Sequence, residues 1–140
     1  MKKLVLFAVM SVAWGSPAFA GCESGSPSVI TVESWSAEAK KMRSTDYVNV
    51  SVTIKSGAAK PFRMVDASIE IEDALGRRIG VLSVDPDLVL QPGESIEKNG
   101  SYLADSLERL PKMNRDDVII TACTEAVVYQ DGSKQSFTKK

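Results

Sequence analysis

The sequence predicts an all-β fold, an antiparallel sandwich of about seven strands. After residue 20, apolar and polar residues alternate with a period of two along most of the chain, while sustained helical periodicity is nearly absent. Turn sequences rich in glycine, proline and aspartate separate the alternating segments at regular intervals. Short alternating strands between such turns are typical of two packed antiparallel sheets.

Four strands are predicted in the first part of this region. They are Ser28–Trp35, Tyr47–Ile54, Val65–Glu72 and Arg78–Val84. The second shows the clearest alternation, because valine or isoleucine occupies every second position from Val48 to Ile54. The turn between the third and fourth strands contains Gly76, which can adopt the positive φ that tight hairpins need.

The rest of the chain predicts three more strands and a short helical turn. The elements are a strand at Ser95–Leu103, a helical turn at Asp105–Leu110 that opens with a capping box, a long or bulged strand at Asp117–Gln130, and a strand at Ser133–Thr138. On the long strand, Val118, Ile120, Ala122 and Ala126 are expected to share the apolar face. Cys123 is therefore expected to point to the opposite face.

The first 20 residues have the composition of an export signal. A lysine pair precedes an apolar run from Leu4 to Trp14, and Ala18-Phe19-Ala20 forms an A-x-A cleavage site. The apolar run is too short for a membrane-spanning helix, which needs about 20 residues. We predict a signal peptide at 1–20, one mature domain at 21–140, and a periplasmic or secreted location.

Two cysteines remain in the mature chain, Cys22 and Cys123. An even pair in an exported protein predicts a disulfide, which would also hold the N-terminus against the domain. A second interpretation stays open, because Phe19-Ala20-Gly21-Cys22 approximates a lipobox. In that case Cys22 would be acylated, and the protein would be a membrane-anchored lipoprotein.

Charge and composition exclude several functions. Removal of residues 1–20 takes away two of the 17 basic residues and none of the 18 acidic ones, which leaves a net charge of −3. Basic residues are grouped only in Lys40-Lys41-Met42-Arg43, Arg77-Arg78 and the Lys139-Lys140 end, and each group is interpreted as ordinary solvated surface, so no nucleic-acid partner is predicted. The chain contains no histidine, which excludes serine-histidine-aspartate and cysteine-histidine catalysis and histidine-based zinc sites.

Acidic residues are the remaining candidates for chemistry. Glu70 and Glu72 share a face of the third predicted strand, but no aromatic sugar-binding platform accompanies them, which favours a solvated surface over a glycosidase pair. Asp85-Pro86-Asp87 supplies two carboxylates, whereas calcium needs about six oxygen ligands, so a turn is the better interpretation. We predict no catalytic residue, no metal and no cofactor.

A recurrent order of strands and turns begins at Tyr47 and ends near Phe137. Its elements are Ile69-Glu70-Ile71-Glu72-Asp73, Gly76, Leu90, Pro92-Gly93-Glu94-Ser95 and Val128-Tyr129-Gln130-Asp131-Gly132. In this order the chain resembles the FxLYD-type and related immunoglobulin-like domains of bacterial envelope proteins. The resemblance implies an immunoglobulin-like sandwich that acts as a non-catalytic module.

The expected function is therefore binding or structural support in the cell envelope. The partner would be another envelope or extracellular protein, and a membrane would be involved only if Cys22 were lipidated. An edge strand, or the loops at one end such as 56–62 and 103–116, would form the recognition surface.

Overall fold

Residues 22–137 are described by a computed structural model, and they form two antiparallel β-sheets packed face to face. The predicted signal peptide, the residues before Cys22 in the lipobox-like sequence, and Thr138 lie outside the described residues. None of the described helices is long enough and apolar enough to cross a membrane. The predicted all-β sandwich is confirmed.

Seven strands and three short helical segments make up the fold. In chain order they are β1 (Ile30–Met42), β2 (Thr45–Ser56), β3 (Phe62–Asp73), β4 (Arg78–Ser83), β5 (Ser95–Leu103), α1 (Ala104–Leu107), 3₁₀ turns at Leu110–Lys112 and Arg115–Asp117, β6 (Val118–Tyr129) and β7 (Lys134–Ser136). One sheet has the order β1-β2-β5, and the other has the order β4-β3-β6-β7. Each predicted strand matches one of these seven.

The core lies between the two sheets. The alternating valines and isoleucine of β2, from Val48 to Ile54, are all buried, as their spacing predicts. Ile69 and Ile71 of β3 are buried against them from the opposite sheet. Leu107 of α1 and Leu110 are also buried, so this short helical region closes one end of the core.

The helix itself begins earlier than predicted. It starts at Ala104 after Leu103, and no side chain caps its first turn. The predicted capping box at Asp105 is therefore wrong. Burial of Leu107 and Leu110 holds this turn in place instead, because tertiary packing outweighs local capping in so short a helix.

The first strand is longer than predicted. It continues past Trp35 to Met42, which pairs with Thr45 across a two-residue turn at Arg43 and Ser44. Trp35, Ala37 and Ala39 alternate with polar residues, but alanine gives only a weak apolar signal and two lysines follow, so this stretch was not predicted as a strand. Pairing with β2 supplies the missing stabilisation, because β2 offers a complete row of backbone hydrogen-bonding groups.

The long strand β6 contains a bulge that changes which residues face the core. Thr124 pairs with Ala67 and Ala126 pairs with Asp66, which leaves Glu125 as an extra residue. After the bulge, Val127 and Tyr129 are the buried residues. The prediction that Ala126 shares the apolar face of Ala122 is therefore wrong, because one inserted residue reverses the alternation.

Candidate interaction surfaces

A disulfide fixes the N-terminal segment to the sandwich. The Sγ atoms of Cys22 and Cys123 are 2.03 Å apart and their Cα atoms 5.6 Å apart. Cys123 is buried and lies between Ala122 and Thr124 on β6, on the face opposite to theirs, as the alternation predicted. The pairing of the two cysteines that the sequence favoured is the one in the structure.

The N-terminal segment also completes the edge of β6. The Ser26 N–H donates to the Thr124 carbonyl at 2.8 Å, and the Thr124 N–H donates back to the Ser26 carbonyl at 2.9 Å. β7 covers only 126–128 of this edge, so the N-terminal segment protects the part that β7 leaves open.

Gly25 allows this close approach. Its φ is +95°, and a Cβ placed on it would lie 2.6 Å from the Thr124 carbonyl oxygen. Any other residue would both adopt an unfavourable backbone conformation and collide with the backbone of β6. This glycine is the sequence signal for the docked segment, although strand and turn patterns alone do not identify it.

Three chain segments meet at one end of the sandwich, which we call the upper end: residues 40–47, 73–78 and 103–117. They contain the β1–β2 turn, the β3–β4 turn and the helical segment after β5. The predicted recognition loops 56–62 and 103–116 therefore do not form one surface. Loop 56–62 joins the other ends of β2 and β3, so it lies at the opposite end of the molecule.

A groove of about 620 Å³ runs between the β1–β2 hairpin and α1 at the upper end. Tyr47, which is half-buried at the start of β2, lines it. Its walls combine apolar atoms with charges of both signs. The other lining residues are Ala39, Lys40, Lys41, Ser44, Thr45, Asp46, Val48, Leu103, Ala104, Asp105, Glu108 and Lys112. Lys112 also lines a second groove beside Leu75, so the three segments form one continuous surface.

Asp73 connects the β3–β4 turn to the helical segment. One carboxylate oxygen accepts the backbone N–H groups of Leu75 at 3.0 Å and Arg77 at 2.9 Å. The other oxygen faces the Arg109 guanidinium at 3.3 Å. The Arg77 N–H is the main group that lowers the pKa of Asp73 below its ordinary value of 3.8. Burial opposes this effect, and Leu75 and Arg109 reinforce it.

We expect Asp73→Asn to lower the free energy of unfolding at neutral pH, with a difference that shrinks in acid. The pKa of Asp73 is lower in the folded state than its ordinary value of 3.8. Its contribution to stability is therefore complete at pH values above 3.8, and it is lost as the pH falls through the folded-state pKa. Urea unfolding at a series of pH values measures the difference. Asp87→Asn, at an exposed turn position, is the control and should change stability by less than about 0.5 kcal/mol. A difference between Asp73→Asn and wild type that does not depend on pH would contradict this account.

The other acidic candidates have structural partners. Glu70 lies 3.7 Å from Arg78 on the neighbouring strand β4. The Asp85 carboxylate accepts the Asp87 N–H at 2.9 Å, which confirms the turn interpretation of Asp85-Pro86-Asp87. Within residues 22–137, no group of three or more histidine, cysteine, aspartate or glutamate side chains is arranged to hold a metal ion.

The sheet edges differ in how well they are protected. β1 has a bulge at Glu33, and Arg115 stacks over the Trp35 ring at 4.5 Å and donates to the Trp35 carbonyl. β4 has a bulge at Ile79, and β7 contains only three residues. In contrast, β5 pairs with β2 over nine residues without a bulge, and its other edge has no partner strand among the described residues.

No protein-family model matches the chain. No curated protein is significantly similar to it either.

Proposed function

We propose that the mature chain is an exported, non-catalytic immunoglobulin-like module of the cell envelope. It binds another envelope or extracellular protein by accepting an extended segment of that protein at the free edge of β5. The observation that carries the proposal is the length and regularity of this edge, because strand addition needs a continuous row of unpaired backbone groups.

The pairing pattern identifies which backbone groups are available. The Ser56 N–H donates to the Glu94 carbonyl at 2.9 Å, directly before β5. The Ser56–Glu94 pair is therefore hydrogen-bonded. In antiparallel sheets, hydrogen-bonded and non-bonded pairs alternate, so the Val52–Lys98 pair, four positions along the strands, is hydrogen-bonded as well. The N–H and C=O groups of Asn99 therefore point away from β2, together with those of alternate residues along the strand. These residues are Ser95, Glu97, Ser101 and Leu103.

Side chains along β5 restrict the partner. Its solvent face is polar from Ser95 to Ser101: Ser101 donates to Asn49 at 2.6 Å, and Glu97 accepts from Ser51 at 2.8 Å. Lys98 points toward the core side and is half-buried. The positive charge of Lys98 on this edge strand disfavours pairing with unrelated strands. It favours a partner segment that has an acidic residue opposite Lys98.

The disulfide supports an oxidising, exported location. It also bears on the lipoprotein alternative, because acylation of Cys22 would use the same sulfur atom that bonds to Cys123. A lipidated form would leave Cys123 as a buried thiol and remove the covalent link that holds the N-terminal segment.

Substitution by proline tests the edge directly. Asn99→Pro removes an N–H that faces away from β2, so we expect stability to change by less than about 1 kcal/mol. Lys98→Pro removes an N–H bonded to Val52 and should cost about 3 kcal/mol or more. Asn99→Ala changes the side chain and keeps the N–H, so it is the matched control for binding.

Binding is measured by NMR of the labelled mature protein with fractions of its native cell envelope. We expect one fraction to broaden the amide signals of Glu97, Asn99 and Ser101 in wild type and in Asn99→Ala, but not in Asn99→Pro. A response that survives in Asn99→Pro would exclude strand addition at β5. A spectrum that no fraction changes would contradict the proposed binding function.

A further inference from the structure

Two exposed apolar side chains of the upper end lie at the tips of separate hairpins, and a third, Leu103, is 56% exposed at the end of β5. Leu75, in the β3–β4 turn, is 85% exposed, and Met42, next to the β1–β2 turn, is 50% exposed. Met42 pairs with Thr45 directly before the β1–β2 turn, and Leu75 lies within the β3–β4 turn, where it also lines the second groove. Side chains of this kind are unfavourable in water and fit a partner that surrounds them from outside.

Basic residues flank both tips. Lys41 and Arg43 lie on either side of Met42, while Arg77 and Arg78 follow Leu75. Arg43 has a φ of 57°, a conformation that favours glycine or asparagine over a long side chain. Two-residue hairpin turns need a positive φ, so this angle follows from the turn, and the Arg43 side chain is exposed at its tip.

The charge of the described residues is divided along the long axis of the sandwich. The upper end has a net charge of +2, whereas the remaining residues of 22–137 have a net charge of −7. The basic residues of the upper end are Lys40, Lys41, Arg43, Arg77, Arg78, Arg109, Lys112 and Arg115. Its acidic residues are Asp46, Asp73, Asp105, Glu108, Asp116 and Asp117. An anionic surface would therefore attract this end and repel the rest of the molecule.

We propose that the upper end docks on an anionic phospholipid bilayer, with Met42 and Leu75 inserted at the level of the lipid headgroups. The basic residues beside them pair with lipid phosphates. A bilayer explains why apolar atoms occupy the two tips, because a flat, apolar medium below a charged layer can receive both at once. Docking in this way leaves the free edge of β5 accessible beside the membrane.

Another exposed apolar residue provides a control. Val89 is 51% exposed, but it lies near Phe62 at the opposite end and between Asp87 and Glu94. Apolar exposure is therefore present at both ends, and Met64, which follows Arg63, also has a basic neighbour at the opposite end; the net positive charge is what distinguishes the upper end. Lys134 on β7 is the corresponding control for charge, because it is exposed and lies outside the upper end.

Cosedimentation of the purified mature protein with lipid vesicles tests the proposal. We expect binding to vesicles of phosphatidylglycerol and phosphatidylcholine in equal parts, and none to phosphatidylcholine alone. Binding should weaken as salt is added, because salt screens the attraction between charges. Arg43→Glu and Arg77→Glu should each lower the partition coefficient about tenfold, and Leu75→Ser about fivefold. Lys134→Glu and Val89→Ser should leave it unchanged.

All these positions are exposed, so each variant should unfold at the midpoint temperature of the wild type. Thermal unfolding therefore shows whether each variant is folded. Absence of wild-type binding to anionic vesicles would overturn the proposal, as would equal losses in Arg43→Glu and Lys134→Glu. Retention on immobilised polyglutamate that is stronger than vesicle binding, and insensitive to Leu75→Ser, would assign the surface to an acidic protein instead. Asn99→Pro should bind vesicles as the wild type does. Vesicle binding and strand addition at β5 can therefore be confirmed or contradicted separately.

Discussion

Replacement of both Cys22 and Cys123 by serine is expected to lower the free energy of unfolding by about 2–5 kcal/mol. The two residues are 101 positions apart, so the disulfide closes most of residues 22–137 into a loop and restricts the unfolded state. Its loss also releases the segment that covers β6 near Thr124. Urea unfolding of the double variant, of the oxidised protein and of the reduced protein measures the effect.

The reduced wild-type protein is the control, because it should match the double-serine variant in stability. The intact mass of protein from its native host, before and after reduction and alkylation, establishes the state of Cys22. Alkylation of both cysteines only after reduction is expected. Equal stability of oxidised and reduced protein would contradict the structural role of the disulfide, and a diacylglycerol mass on Cys22 would show the lipoprotein instead.

Phe62→Ala is expected to lower the free energy of unfolding by about 3–5 kcal/mol. Phe62 is 0% exposed and is bonded through its backbone to Leu90, with N–H to carbonyl distances of 3.1 and 3.3 Å in the two directions. Its ring therefore fills the core where β3, β6 and the segment before β5 meet. Removal of the ring leaves a cavity that the surrounding backbone hydrogen bonds prevent from closing.

Met64→Ala is the matched control on the same strand. Met64 is 46% exposed on the outer face, so its truncation should change stability by less than about 0.5 kcal/mol. Thermal or urea unfolding of both variants checks the pair. Similar losses for the two would show that position on β3, rather than burial in the core, determines the cost.

The proposals assign different tasks to different parts of one small sandwich. The free edge of β5 is suited to a protein segment, and the basic, apolar tips of the upper end are suited to an anionic bilayer. The disulfide and the Gly25 contact hold the N-terminal segment away from both surfaces, against β6. A module built in this way would present β5 at a fixed orientation beside a membrane.

Local patterns in the sequence determined the fold class and most of the strands. The alternation in β2 was sufficient because the burial of each valine depends only on the face of the strand to which its side chain points. The turns were also predictable, since Gly76, Gly93 and Gly132 all have positive φ values where the sequence placed tight turns. The disulfide followed from an even number of cysteines in a chain with a predicted export signal.

Only the tertiary structure decided the length of β1, the direction of Ala126 and the assembly of the upper end. β1 continues to Met42 because β2 provides hydrogen bonds, and Ala126 turns outward because Glu125 is inserted where β6 meets β3. The upper end joins segments that lie far apart in the chain. Each of these features depends on long-range pairing between strands, which period-two alternation within a single strand does not encode.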